Sequence, residues 1–280
     1  MTNKYIYFHT ACIGIWEEVV TKIYNSIKAS GLYDEVKEIR CSVIGDKDEF
    51  LKVVNNDSKY KIIFNSNEKQ FLSSNWATQT ETLNLNEVFK DTNSVSWKDI
   101  LEYGTNLWKS KVVIPTDRPI HNEEIIITKL HEHSLQEDFQ VLYIHSKGVK
   151  RSVTEPELYP MMRDWLDCLI YFYITKYKTL IKELDEFDVS GINLSRFRGK
   201  YKDLHYGGNF FWANSKYIRK LKTKLCEMYR GPEIWITQRL DGNFISLWND
   251  EVNHYTELYP PSEYKNKPLQ RHIVKGRQKL

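Results

Sequence analysis

The stretch "VLYIHSKGVKRS" runs an apolar, partly β-branched segment at residues 141–144 straight into His145, Ser146, Lys147 and Gly148. A strand ending this way delivers a positive charge beside a glycine. In open α/β sheets ligands sit at the carboxyl ends of strands. A lysine there meets a phosphate as a point charge, and a glycine lets backbone N–H groups come close. The stretch lacks the GxxxxGK[ST] spacing of a P-loop, and no GxGxxG supports a dinucleotide fold. A second stretch, "FHTACIG", closes a first strand with His9 and Thr10, at a place that commonly holds a nucleotide. A third, "LHYGGNFFWANSKYIRKL", sets two glycines before a strand of large aromatics. Gly207 and Gly208 leave room for a ligand or a close backbone, and the two-ended amide of Asn209 suits sugar hydroxyls. Phe210, Phe211 and Trp212 divide between core and pocket, with Trp212 the pocket candidate. A fourth, "GPEIWI", puts Glu233 in the first turn of a helix opened by Pro232. Its carboxylate either complements the helix dipole, worth about 0.3–1 kcal/mol, or serves as a general base at a cleft. "HEH" at 131–133 places two histidines at i and i+2, which do not share a helix face, so both are expected at the surface. Neither GxSxG nor HExxH occurs.

These residues need elements to hold them. "KYIYFHTACIG" reads as a strand, and "WEEVVTKIYNSIKASGLY" as a helix with Val19, Val20, Ile23 and Ile27 on one side and Gly31 as its C-cap. "VKEIRCSVIGD" and "KYKIIFNSN" are further strands. This β-α-β-(α)-β opening favours a doubly wound parallel sheet. Residues 68–119 mix polar turns with short helical pieces and read as an insertion. "HNEEIIITKLHEHSLQED" is a helix whose Asn122, Glu123 and Glu124 suit its positive N-terminal end. "ELYPMMRDWLDCLIYFYITKYKTLIKELDEF" is one long helix or two. "DVSGINL" is a strand, "YGGNFFWANSKYIRKLKTKL" a strand turning into a helix, and "GPEIWITQRL" a helix. The tail holds Pro260, Pro261 and Pro268 and ends basic, as a surface extension.

The bulk properties set limits. A chain of 280 residues is one large domain or one domain with an extension, enough to bury a substantial core. A net charge of +3 is too small to make nucleic acid the default partner. The 18 tyrosines and 8 tryptophans supply flat, hydrogen-bonding surfaces for sugars and bases. The 4 cysteines, Cys12, Cys41, Cys168 and Cys226, show no metal-ligand spacing; Cys12 and Cys168 lie in apolar runs and read as buried free thiols, which fits a reducing compartment. The N-terminus lacks a signal-peptide core. "WLDCLIYFYITKYKTLI" is too short and too charged to span a membrane. A cytoplasmic protein is expected.

In this order, "YFHTACIG", "SGLYDEV", "VLYIHSKGV", "MRDWLDCLI", "VSGINL", "HYGGNFFWANSKYIRKL" and "PEIWI" resemble a group of GT-A glycosyltransferases of bacterial capsule and lipopolysaccharide loci and of giant viruses, and more distantly rhamnan-synthesis glycosyltransferases. The resemblance covers most of residues 5–264 and matches poorly over 68–119. It implies an α/β fold with a GT-A-like (Rossmann-like), mostly parallel sheet flanked by helices over 1–264, an insertion at about 68–119 and a basic tail at 265–280. It implies a cytoplasmic transferase moving a sugar from a nucleotide-sugar, with a UDP-sugar first in line, to a hydroxyl of an oligosaccharide or lipid-linked glycan, with inversion. His9 and Thr10 would lie near the base and ribose. His145, Ser146, Lys147 and Gly148 would stand where many GT-A enzymes carry an Asp-x-Asp metal motif. Either Lys147 replaces the charge of Mn or Mg against the diphosphate, or other carboxylates such as Asp117 or Asp188 hold the metal. Gly207, Gly208, Asn209 and Trp212 would shape the acceptor and sugar pocket, and Glu233 would be the base. The other readings are a nucleotidyltransferase or nucleotide-sugar hydrolase, which needs an acidic metal cluster, and a non-catalytic glycan- or nucleotide-sugar-binding protein, which would keep the aromatics but not need both Lys147 and Glu233. The basic end "RHIVKGRQKL" is either a solvated tail or a contact to an anionic membrane or lipid-linked acceptor.

Overall fold

The computed structural model describes residues 2–66, 122–196, 204–223, 225 and 231–276. The expected insertion at 68–119, Asp117 and Cys226 lie outside the described residues. The centre of the fold follows from strands that are apolar on both faces. β1 (Asn3–Ala11) is buried from Tyr5 to Ala11, and β4 (Phe139–His145) is nearly as apolar. Strands that read as continuous apolar runs belong inside a sheet covered on both sides. β1 accordingly pairs in parallel with β2 (Glu38–Ile44) on one flank and β4 on the other, and β2 pairs in parallel with β3 (Tyr60–Ser66).

Among the described residues the main sheet has 8 strands in the order β3-β2-β1-β4-β8-β5-β9-β10. β5 (Val189–Gly191) and β9 (Phe244–Ser246) run with the others, while β8 (Phe211–Asn214) and β10 (His272–Val274) run against their neighbours. β6 (Leu194–Arg196) and β7 (Leu204–Tyr206) form a separate antiparallel pair. This is the expected fold class, a mostly parallel sheet with flanking helices. The reversed direction of β8 matters most for the site. Phe211 opens β8 opposite Tyr143, near the end of β4, so residues 207–210 reach the carboxyl edge of the parallel strands.

Side-chain alternation divides the core between the two faces. Tyr5, Tyr7, Val141 and Tyr143 pack with Ile126, Ile127 and Leu130 of α4 (Asn122–Ser134). Phe8 points the other way, to Phe50 of α3 (Lys47–Val53), at 6.1 Å between rings. α1 (Trp16–Ala29) buries Val19, Val20, Ile23 and Ile27, the stripe its spacing predicts, and α2 (Leu32–Glu35) follows it. The long helical segment is α6 (Tyr159–Ile170), a π turn at Tyr171–Thr175 and α7 (Tyr177–Glu183). α5 (Val149–Thr154) leads into it. α8 (Ser215–Ile218) follows β8, and α9 (Gly231–Trp235) ends five residues short of the expected helix.

Two expectations are corrected. His133 is not a surface residue: it is buried, stacked on Phe139 at 4.3 Å, with its ring nitrogens against Tyr7 and Glu137. Trp212 is not a pocket residue: its side chain is fully buried and its Nε1 donates to the Tyr173 carbonyl in the π turn at 3.0 Å. Burying an indole of that size stabilises the fold by about 1.5–3 kcal/mol, which is reason enough for its presence. Part of the segment expected as a basic extension, His272–Val274, forms the edge strand β10, and Arg271 beside it reaches Glu183 at 2.8 Å. Among the described residues no helix is long and apolar enough to cross a membrane.

Candidate functional site

The carboxyl ends of β1 and β4 are locked together before any ligand is considered. The Ser146 N–H donates to the His9 carbonyl at 3.0 Å, and Ser146 Oγ accepts from the Ala11 N–H at 3.4 Å. His9 Nδ1 lies 3.2 Å from Ser42 Oγ on β2. His145 Nε2 donates to the Gly208 carbonyl at 2.9 Å, which fixes the proton on that nitrogen and ties β4 to the turn before β8. Burial pushes the His9 imidazole down to about 4. Burial, and then the charge of Lys147, push His145 down to about 3. Both rings are therefore neutral near pH 7. They are spent on holding strands in place and bring no positive charge. Thr10 is fully buried and its hydroxyl has no hydrogen-bond partner among the described residues.

Lys147 is the charge that this frame presents. Gly148 follows in the left-handed region at φ 87°, which L side chains rarely adopt, and starts α5. The turn swings Lys147 back over the Trp165 ring of α6, with Nζ 4.0 Å from its centroid, a contact worth about 0.5–2 kcal/mol. Burial lowers the pKa of the half-buried ammonium, while Glu233 and Glu123 oppose that shift. The Arg151 guanidinium of α5 faces it too, paired with both oxygens of Glu155 at 2.9 Å.

Opposite the lysine stand two carboxyls from different helices. Glu123 lies in the first turn of α4 and Glu233 in α9. Glu123 Oε2 accepts from Asn209 Nδ2 at 3.0 Å. The Tyr143 hydroxyl is buried beside the same carboxyl without completing a well-aligned hydrogen bond. Burial and then the charge of Glu233 raise Glu123 to about 7, against the pull of Lys147, Asn209 and Tyr143. Asn209 is 2% exposed and sits at φ 55°, with its N–H on the Tyr206 carbonyl at 3.1 Å. Its Oδ1 has no hydrogen-bond partner among the described residues. A buried acceptor left unpaired costs about 1–3 kcal/mol, so the amide has spare capacity for one donor.

The same edge carries a second polar group. Asn193, after β5, donates to Asp250 Oδ2 at 2.9 Å and accepts the Asp250 N–H at 2.9 Å. His254 Nε2 lies 3.1 Å from Asp250 Oδ1, and the imidazole stacks on Trp165 at 4.8 Å. Thus the Trp165 ring touches both Lys147 and an Asp–His pair.

The fold brings Lys147, Glu233 and Asn209 together from the sequence-derived set. It turns His9, His145 and Ser146 inward as fastenings. Gly207 and Gly208 make room for the protein's own side chains rather than for a ligand. A Cβ on Gly208, whose φ is 85°, would stand 2.8 Å from Leu169, and one on Gly207 3.0 Å from Asn193. Sequence reasoning missed Glu123, Trp165, Asp250 and His254. The signal for Glu123 was present, since it lies in the same acidic first turn that suits the dipole of α4. Asp188 does not serve this edge: it precedes β5 and accepts the Asn243 N–H at 2.8 Å, at the opposite end of the parallel strands. Among the described residues no three His, Cys, Asp or Glu side chains converge as a metal site. The Lys147 ammonium beside Glu123 and Glu233 does not fit a divalent cation at this edge.

No protein-family model matches the chain, and no curated protein matches it. Among solved structures, it is similar to 4-diphosphocytidyl-2C-methyl-D-erythritol synthase from Anaerococcus prevotii DSM 20548, at 8% identity and a TM-score of 0.36, over 93% of this chain and 94% of that one. It is also similar to a putative nucleotide-diphospho-sugar transferase from Desulfovibrio desulfuricans G20, at 9% identity and a TM-score of 0.32, over 89% of this chain and 82% of that one.

Proposed function

We propose that this chain is a GT-A-like glycosyltransferase that moves a sugar from a nucleotide-diphospho-sugar to a hydroxyl of a glycan acceptor, with inversion, in surface-polysaccharide synthesis at the cytoplasmic side. The observation that carries the reading is the meeting of Lys147, Glu233, Glu123 and Asn209 at the carboxyl ends of β1 and β4. Ligands of open α/β sheets gather at such an edge. In the reaction Glu233 takes the proton of the acceptor hydroxyl. The freed oxygen forms its bond to the anomeric carbon from one side as the carbon–oxygen bond to the diphosphate breaks on the other. The electron pair leaves with the diphosphate, where Lys147 meets the new charge. Base catalysis of this kind contributes roughly 10²–10⁴-fold. Asn209 Oδ1 offers an acceptor to one hydroxyl of the sugar. The donor class first in line is a UDP-sugar, and the acceptor an oligosaccharide or lipid-linked glycan.

The test is nucleotide release from UDP-, GDP-, dTDP- and CMP-sugars, with and without a chelator. Release from one class that survives the chelator supports the transferase and the lysine-based site. Stabilisation by glycans alone, with no release from any donor, would replace the reading with that of a binding protein.

A further inference from the structure

Past the carboxyl ends of β5 and β9, on the same edge of the sheet as the end of β4, a chain of hydrogen bonds stops at one ring nitrogen. The Asp250 carboxylate accepts on both oxygens: Oδ2 from Asn193 Nδ2 at 2.9 Å and Oδ1 from the Val252 N–H at 3.3 Å. His254 Nε2 faces the same two oxygens, at 3.1 and 3.3 Å. A carboxylate engaged in this way is an acceptor, so Nε2 is the ring nitrogen that donates. Nδ1 is left over, with no hydrogen-bond partner among the described residues. The imidazole and the carboxylate are only 7% and 6% exposed. Polar atoms buried this deeply are nearly always paired, and one that is not calls for a ligand or a water.

The ring is held in one orientation. It stacks on Trp165 with centroids 4.8 Å apart and planes 9° apart, and it meets Tyr259 edge-on at 5.3 Å. Trp248 Nε1 in turn donates to the Tyr259 hydroxyl at 3.1 Å. The Trp165 Nε1 N–H is also buried with no hydrogen-bond partner among the described residues. One stacked pair of rings thus carries an N–H donor and an imidazole nitrogen that accepts when the ring is neutral. The Lys147 ammonium lies 4.0 Å from the centroid of the same indole. The Asn193 carbonyl accepts the Gly207 N–H at 2.9 Å, which ties this group to the turn that holds Asn209. Sugar hydroxyls both accept and donate, so a sugar edge answers both atoms, whereas an ionised phosphate oxygen only accepts. We propose that Trp165 Nε1 and His254 Nδ1 form a hydroxyl-binding subsite, oriented by Asp250 and Asn193, that takes a sugar hydroxyl of the ligand whose diphosphate Lys147 meets. The link to a diphosphate rests on the proposed transfer reaction; the hydroxyl chemistry does not. His254 and Trp165 then determine which sugars the site holds, apart from the proton transfer assigned to Glu233.

The subsite is tested by calorimetric titration of the full chain and of His254→Phe, which keeps a ring on Trp165 and loses the nitrogens. The probes are UDP-, GDP-, dTDP- and CMP-sugars with their parent nucleotides, free glucose, galactose and rhamnose, and inorganic pyrophosphate, which has no hydroxyl of a sugar. His254→Phe should weaken the sugar ligands that bind by roughly 3–10-fold, the worth of one neutral hydrogen bond, and leave pyrophosphate affinity as it is. A loss shared with the parent nucleotide assigns the hydroxyl to the ribose; a loss confined to the nucleotide-sugar assigns it to the transferred sugar. An equal loss for pyrophosphate would make His254 a support for Lys147 alone and overturns the subsite. So does an unchanged affinity for every sugar ligand, which leaves the nitrogen to a water, and so does a chain that binds no sugar ligand at all. If free sugars alone bind and lose affinity in His254→Phe, the transferase reading fails and the subsite stands. Should His254→Phe fail to fold, ring-nitrogen NMR of the unmodified chain decides: the His254 Nδ1 resonance should move with the bound sugar ligand and stay in place with pyrophosphate, and a resonance that ignores the sugar overturns the subsite.

Discussion

Lys147 is held by two kinds of contact that different substitutions can separate. Lys147→Ala removes both its charge and its contact with Trp165, while Lys147→Met keeps most of the packing. If the charge serves the diphosphate, both variants lose nucleotide-sugar affinity by roughly 10–100-fold, the worth of one charge-assisted hydrogen bond. Calorimetric titration with the preferred donor checks this, and full affinity in Lys147→Met would contradict it. Glu123 makes a separate prediction about stability. Its folded pKa of about 7 lies above the ordinary glutamate value of 4.5. The folded state therefore binds the proton more tightly, and that stabilisation is present below about pH 4.5 and lost as pH rises to about 7. His9 and His145, with folded pKa values lowered, act in the opposite direction over the acidic range. The difference between Glu123→Gln and the unmodified chain cancels their effect. The melting-temperature advantage of Glu123→Gln should grow as pH rises from about 5 to about 8, and a constant difference would refute the raised Glu123.

At the scale of elements, the site depends on how strands end. Gly148 joins β4 to α5 in the left-handed region, and a Cβ there would lie 3.1 Å from Met162 Cβ. Gly148→Ala should cost about 1–2 kcal/mol from the backbone alone, read as a lowered urea midpoint, and should reduce turnover further by shifting Lys147. An unchanged midpoint would mean that the turn relaxes freely. This part of the site was legible in the sequence, because a strand, a lysine and a glycine are contiguous there. The parallel core was legible too, since Tyr5–Phe8 and residues 141–144 are apolar without alternation. Glu123 was legible only as an acidic first-turn residue, because such a carboxylate reads equally well as a dipole partner, and only packing carries the start of α4 to the end of β4. Trp165 sits in an apolar helical run, where nothing local distinguishes an indole under a lysine from one in the core. β7, β9 and β10 have three residues each, too few for a period to register. Trp212 and His133 were misread because tertiary burial, rather than spacing, decided their surroundings.

Taken whole, the molecule gathers its site from segments far apart in sequence: β1, the β4 turn, the start of α4, the approach to β8, and α9. Such a site exists only when the full sheet is folded, so a bound donor should stabilise the sheet as a whole. At about 100 times its dissociation constant it should add about 2.7 kcal/mol, seen as one cooperative transition moved upward. A donor that raises only part of a split transition would contradict a site built across the sheet. The central claim is that Glu233 is the base at a nucleotide-sugar site. It is tested most directly by measuring turnover and donor affinity together for the unmodified chain and Glu233→Gln. The account predicts turnover lower by roughly 10²–10⁴-fold with donor affinity nearly unchanged; a Glu233→Gln protein that transfers sugar at the normal rate would contradict it.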